Sequence, residues 1–136
     1  MALKIFVPVR LISEANAAGS VRGQINRKKL QKNATVAAFI DAGCPVEGII
    51  KMRGGQNRLT CKLVSPPEFP LVVTMTRIAP RELDDDNLVR SFKTVRDKIA
   101  DLLNIDDRDK RVTWVVAQRR GAAKQYAFEV IIDGRR

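Results

Sequence analysis

The chain has no histidine, and its two cysteines, Cys44 and Cys61, stand apart with no CxxC pair. Zinc sites built on imidazole or thiolate are thereby excluded, as is every acid–base scheme that needs a histidine. Two lone cysteines fit a reduced, buried pair better than a disulfide framework. The single tryptophan, Trp114, stands in a strand-like run and fits core or dimer packing better than a base-stacking platform. No apolar run approaches a membrane span, and the apolar start at residues 1–8 is too short for a signal peptide and is followed by no cleavage pattern. Gly54-Gly55 is too short for a phosphate-cradling loop, and no Walker pattern follows it. These absences lead to the expectation of a soluble, intracellular protein.

What the chain has in excess is positive charge. It carries 25 Lys and Arg against 15 Asp and Glu, a formal net of +10 over 136 residues. That balance suggests a polyanionic partner, and phosphate contacts by Lys and Arg would make binding strongly salt-dependent. The plain alternative is a solvated basic surface kept for solubility. The length and a 45% hydrophobic share suit one ordinary domain, residues 1–136, with a real core.

Within this basic chain, residues 82–109 form an acidic island of nine carboxylates against five basic residues. Two knots, Asp84-Asp85-Asp86 and Asp106-Asp107-Arg108-Asp109, bracket a helix. Leu88, Phe92, Val95, Ile99 and Leu102 follow one another at steps of four and three, an apolar stripe down one side. At about 100° per residue, Asp86, Arg90, Lys93 and Asp97 gather on the opposite side as acid, base, base, acid.

The remaining elements read as follows. Residues 3–11 are rich in β-formers and predict a strand, with Pro8 marking an edge or an end. Residues 13–23 are small and read as a loop. From about residue 24 to 42 the spacing predicts a helix, with Leu30, Ala34, Ala37 and Ile40 on its apolar side and Gly43 and Pro45 as its stop. Its first half is basic through Arg22, Arg27, Lys28, Lys29 and Lys32. Cations there oppose the helix dipole, so phosphate contact competes with a merely solvated face as their explanation. Residues 48–64 predict a hairpin turning at Gly54-Gly55-Gln56-Asn57, residues 65–70 a proline-stiffened connector, and residues 71–78 a central strand. Residues 112–116 and 126–132 predict two more strands, paired antiparallel across a short loop at 119–124. The sum is an α+β single domain, one mixed β-sheet with two main helices packed on it.

One aspartate of the first knot suffices as an N-cap, and another favours the positive end of the helix dipole. Three in a row exceed that need, and adjacent carboxylates repel unless a cation lies among them. The second knot follows a helix about 25 Å long, so the chain must fold back if the knots are to meet. Hard oxygen ligands suit Mg²⁺, which lowers the pKa of a bound water and neutralises charge developing at phosphorus. A nearby Lys or Arg adds a fixed positive charge. That is phosphodiester hydrolysis without a histidine.

At these residues the sequence resembles the RusA family of Holliday-junction resolvases, above all its phage-borne members. The resemblance rests on Asp84-Asp85-Asp86-Asn87-Leu88, where the family has Asp-x-Asp-Asn-Leu, on the following helix with its lysine, and on Asp106-Asp107. The opening strand, the basic first helix and the strand before the first knot keep the family's order of elements. The resemblance implies a homodimeric, Mg²⁺-dependent endonuclease, with Mn²⁺ as an alternative ion, that resolves four-way DNA junctions by paired nicking. It also implies work in the cytoplasm of a bacterium or phage-infected host, with no membrane and no small-molecule cofactor. Carried over by motif, Asp84, Asp86 and Asp107 are metal ligands and catalytic residues, and Lys93 is the assisting cation. The chain departs from the family at the lysine, because the position four after the second acid is Arg90 here. Arg90 is therefore the second candidate for that role, and a DNA contact together with Arg22, Arg27, Lys28, Lys29 and Lys32. Residues between Cys44 and Phe69 have no clear family counterpart.

Two other functions stay open. A non-catalytic nucleic-acid-binding module would use the aspartates only as helix caps. A metal nuclease of the same kind would instead act on another branched DNA or on RNA. Arg119, Arg120, Arg135 and Arg136 are further candidates for DNA contacts, although tail and turn arginines are commonly just solvated.

Overall fold

The structure is a computed structural model that describes residues 2–11 and 20–134. Its elements run β1 (Leu3–Val7), α1 (Val21–Asp41), β2 (Val46–Arg53), β3 (Gln56–Leu63), β4 (Leu71–Ala79), α2 (Asp85–Ser91), α3 (Lys93–Leu102), β5 (Val112–Arg120) and β6 (Ala127–Gly134). The fold is mixed α+β, with three helices packed on a mixed sheet. No helix among the described residues is long and apolar enough to cross a membrane.

Four strands form the main sheet in the order β1-β6-β4-β5. Leu71, Val73 and Met75 alternate along β4 and are fully buried, and the strand is interior, as its apolar run predicts. β1 lies at an edge and ends before Pro8. The antiparallel pairing expected between β5 and β6 is not formed, because β4 lies between them. β5 pairs parallel with β4, Leu71 opposite Val112, and β6 pairs antiparallel with β4 on its other side. The crossover through α2 and α3 returns the chain to the start of β4, as a parallel pair requires. After β5 the chain passes over the far end of β4, where Gly121 N donates to the Ala79 carbonyl at 2.9 Å.

β2 and β3 form a second, two-stranded sheet rather than part of the first. Their hairpin turns at Gly54 and Gly55, both at positive φ, where a side chain would be strained. Ile50 and Leu59 face each other across it and are both exposed. Cys44 and Cys61 are free and half-buried.

Helix α1 begins earlier than its spacing predicts. Ser20 is the N-cap, its Oγ accepting from Gly23 N at 3.2 Å, so the expected loop at 13–23 is helical from Val21 on. Its part at 13–19 lies outside the described residues, as do Arg135 and Arg136. The predicted apolar side is also displaced. Gln31, Thr35 and Phe39 are buried, while Leu30 and Ile40 are 59% and 48% exposed. Phe39 at 0% sets the orientation, and Thr35 satisfies its own hydroxyl by donating to the Gln31 carbonyl at 2.7 Å.

The acidic helix is two helices. Ser91 Oγ donates to the Leu88 carbonyl at 2.7 Å, and Phe92 N turns instead to the Val89 carbonyl at 3.2 Å. Such back-bonding competes with the regular ladder and breaks it here. The predicted stripe survives the break: Leu88, Phe92, Val95, Ile99 and Leu102 are all buried against the sheet. Phe92 meets Phe128 of β6 edge-on, with ring centroids 6.1 Å apart.

Candidate metal-binding and nucleic-acid-binding residues

β4 ends at Ala79, and residues 80–84 lead into α2. Two side chains fix that turn. Gln118 of β5 accepts from Leu83 N at 3.0 Å and donates to the Leu83 carbonyl at 2.8 Å. Arg77 Nη1 donates to the Arg81 carbonyl at 2.6 Å. Asp84 then caps α2, its Oδ1 accepting from Asn87 N at 2.9 Å and its Oδ2 from Asn87 Nδ2 at 3.1 Å. The asparagine of the Asp-x-Asp-Asn-Leu box thus orients the first aspartate. Asp85 and Asp86 are exposed in the first turn of α2, and Arg90 and Lys93 are exposed further along. All of these residues belong to the C-terminal end of β4.

Asp107 belongs to the other end. Its loop runs from the end of α3 to the start of β5, and the Arg111 carbonyl there accepts from Leu71 N at 2.8 Å. Arg96 of α3 holds the loop by donating Nη2 to the Asp107 carbonyl at 3.1 Å, while its guanidinium lies 4.8 Å over the Trp114 ring. Trp114 is half-buried and packs against the core.

The stretch from Arg111 to Gln118, which links the two ends, spans about 23 Å of extended chain. Ligands of one Mg²⁺ must each come within about 2.1 Å of it. Asp84 and Asp86 thus stand on the chain leaving the far end of β4, and Asp107 on the chain returning to the start of β5. Among the described residues, no three Asp, Glu, Cys or His side chains gather into a group that could hold a metal. The two knots form no such group among the described residues. A strand, a crossover and a parallel strand necessarily put the two ends of the crossover at opposite ends of the sheet.

The third acid of the second knot is engaged locally. Asp109 accepts from Arg111 N at 2.9 Å and from Arg111 Nη2 at 2.7 Å. Those side-chain and backbone bonds lower its carboxyl from 3.8 to about 2. The Arg111 guanidinium also stacks 4.2 Å over Phe69.

Of the basic residues singled out on α1, Arg22, Lys28 and Lys29 are exposed, and Arg27 and Lys32 are half-buried. The structure adds cations that the sequence pattern did not mark. Arg77 is buried beside the Asp84 end, and burial followed by the nearby Arg10 charge pushes its pKa down. Its Nε finds no hydrogen-bond partner. A charged residue inside the otherwise apolar run of β4 was the available signal. Arg10 itself stacks 4.4 Å over Tyr126. Arg119, by contrast, is spent on Glu129, with two bonds at 3.0 and 3.1 Å. No protein-family model matches the chain, and no curated protein matches it either.

Proposed function

We propose that the chain is a RusA-like, metal-dependent endonuclease acting on four-way DNA junctions, as a homodimer whose metal sites are each built from two subunits. The observation that carries this is the Asp84-Asp85-Asp86-Asn87-Leu88 box at the C-terminal end of β4, with Asp86 and Arg90 exposed on α2 and Lys93 exposed at the start of α3. A two-fold axis across β4 and β5 would set Asp84 and Asp86 of one subunit against Asp107 of the partner subunit. The same operation makes a second, identical site, which paired nicking requires. In each site Asn87 keeps Asp84 oriented, Asp86 offers its carboxylate, and Lys93 or Arg90 supplies positive charge to the phosphate. The sheet face away from the helices, with Phe6 and Val115 exposed and Thr74 and Ile131 half-buried, offers apolar surface for a second copy. Such an enzyme would work in the cytoplasm, where its DNA is.

A specific observation favours the non-catalytic reading instead. Asp84 already has a structural task, since both its oxygens accept bonds from Asn87. A cleavage assay separates the two, using a synthetic four-way junction, a flap and a linear duplex, each with and without Mg²⁺ or Mn²⁺. Ion-dependent paired nicks in the junction are expected. Tight, salt-sensitive binding with no nicking under any of these conditions would leave only the binding module, and nicking of the flap alone would change the substrate.

A further inference from the structure

The hairpin meets the helices at a knot of cations around one carboxylate. Asp101 of α3, with its side chain 5% exposed, accepts from Arg58 Nη2 at 2.6 Å, Thr60 Oγ1 at 3.2 Å and Lys51 Nζ at 3.4 Å. Lys51 also donates to the Ile105 carbonyl at 2.9 Å, which ties it inward. Lys98 Nζ donates to Thr60 Oγ1 at 3.3 Å. Lys32 is half-buried on α1, which packs against α3. Burial, then the charges of Arg58 and Lys98, lower its pKa, and Asp97 and Asp101 offset that only in part. Four cations from α1, α3 and the hairpin thus crowd about Asp101, with Asp97 the other acid nearby.

The hairpin is docked by Asp101 with its direct partners and by the Lys98–Thr60 bond. Lys32 adds repulsion to this partly buried place, which stability alone would not select. A tetrahedral oxyanion at the mouth would relieve it. Arg58 keeps a partly exposed guanidinium whose remaining N–H groups suit phosphate oxygens.

We propose that Lys32, Arg58 and Lys98 form a seat for one phosphate group, and that this group is a backbone phosphate of the bound DNA. The seat deepens the nuclease reading by giving the hairpin, which has no clear counterpart in the family resembled, a task on the nucleic acid. It joins the basic half of α1 to β3 as one phosphate track, remote in sequence from the aspartate box.

The test takes the full chain as wild type, Lys32→Gln and Lys98→Gln. Thermal unfolding is measured in chloride and in inorganic phosphate at matched ionic strength, and junction binding is measured over a range of salt. Phosphate should raise the wild-type Tm above its chloride value, and raise it less in either variant. Each variant should bind junction DNA several-fold more weakly, with the salt slope shallower by about 0.9. In chloride, Lys32→Gln should keep or gain Tm, because a repulsive charge has gone. Phosphate stabilisation that is absent, or equal in all three proteins, overturns the seat. A lower Tm for Lys32→Gln in chloride would make Lys32 a structural residue and overturn it too. Phosphate stabilisation with unchanged DNA binding would overturn the backbone assignment in favour of a free phosphate. None of these readouts depends on cleavage, so the seat and the nuclease fail separately.

Discussion

Arg58 at the start of β3 and Asp101 near the end of α3 are joined by a 2.6 Å ion pair, the shortest tie between the hairpin and the body of the domain among the described residues. Asp101 is buried and Arg58 is partly exposed, so losing the pair strands little charge on the arginine but removes the hairpin's anchor. Asp101→Asn should destabilise the protein by about 1–3 kcal/mol, below the cost of breaking a fully buried pair because water still reaches Arg58 and Lys51. Urea unfolding measures this, and protease nicking within 46–63 should quicken alongside. An unchanged midpoint would show that the hairpin is held by other contacts.

Arg96 ties the Asp107 loop to the sheet through the Asp107 carbonyl and the face of Trp114. Arg96→Met should cost about 1–2 kcal/mol through the lost hydrogen bond and cation–π contact. Trp114 is the only tryptophan, so its fluorescence reports the site directly. Its emission should shift and become more open to an added quencher, with cleavage falling as the loop loosens. An identical spectrum would remove Arg96 from the account of that loop.

The Asp109–Arg111 pair makes a pH prediction with a definite sign. Bonding to Arg111 holds the Asp109 carboxyl at about 2, below its ordinary 3.8. A group lowered on folding stabilises the fold above its unfolded pKa and loses that effect as pH falls through the folded value. The Tm advantage of wild type over Asp109→Asn should therefore be constant above pH about 4 and vanish between about 4 and 2. A difference that persists unchanged at the acid end would assign it to something other than ionisation.

What could be read from the chain follows from where each signal resides. The stripe from Leu88 to Leu102 was legible because helical spacing is a local property, and all five residues are buried. The hairpin was legible from two adjacent glycines, which suit the positive φ of its turn. The order of the strands was not. The turn after β5 looks alike whether β6 lands beside β5 or crosses β4 first, and only packing decides between them. The buried side of α1 was missed because Phe39 outweighs Leu30 and Ile40 once the sheet is present. The aspartates were legible as ligand types, yet the strand ends they stand beside depend on β5 running parallel to β4, which no local pattern states. The Arg58–Asp101 tie joins residues 43 apart, with nothing local to announce it.

Asp86 and Asp107 are proposed to act together only across two subunits, and subunit mixing tests this most directly. Asp86→Asn and Asp107→Asn should each abolish junction cleavage while leaving junction binding intact. Unfolded together and refolded, the two variants form mixed dimers in which one site carries both substitutions and the other carries neither. Nicking should then return with about a quarter of the wild-type number of intact sites, one nick per junction instead of two. A mixture as inactive as either parent, with mixed dimers verified by mass and wild type surviving the same refolding, would contradict the shared site.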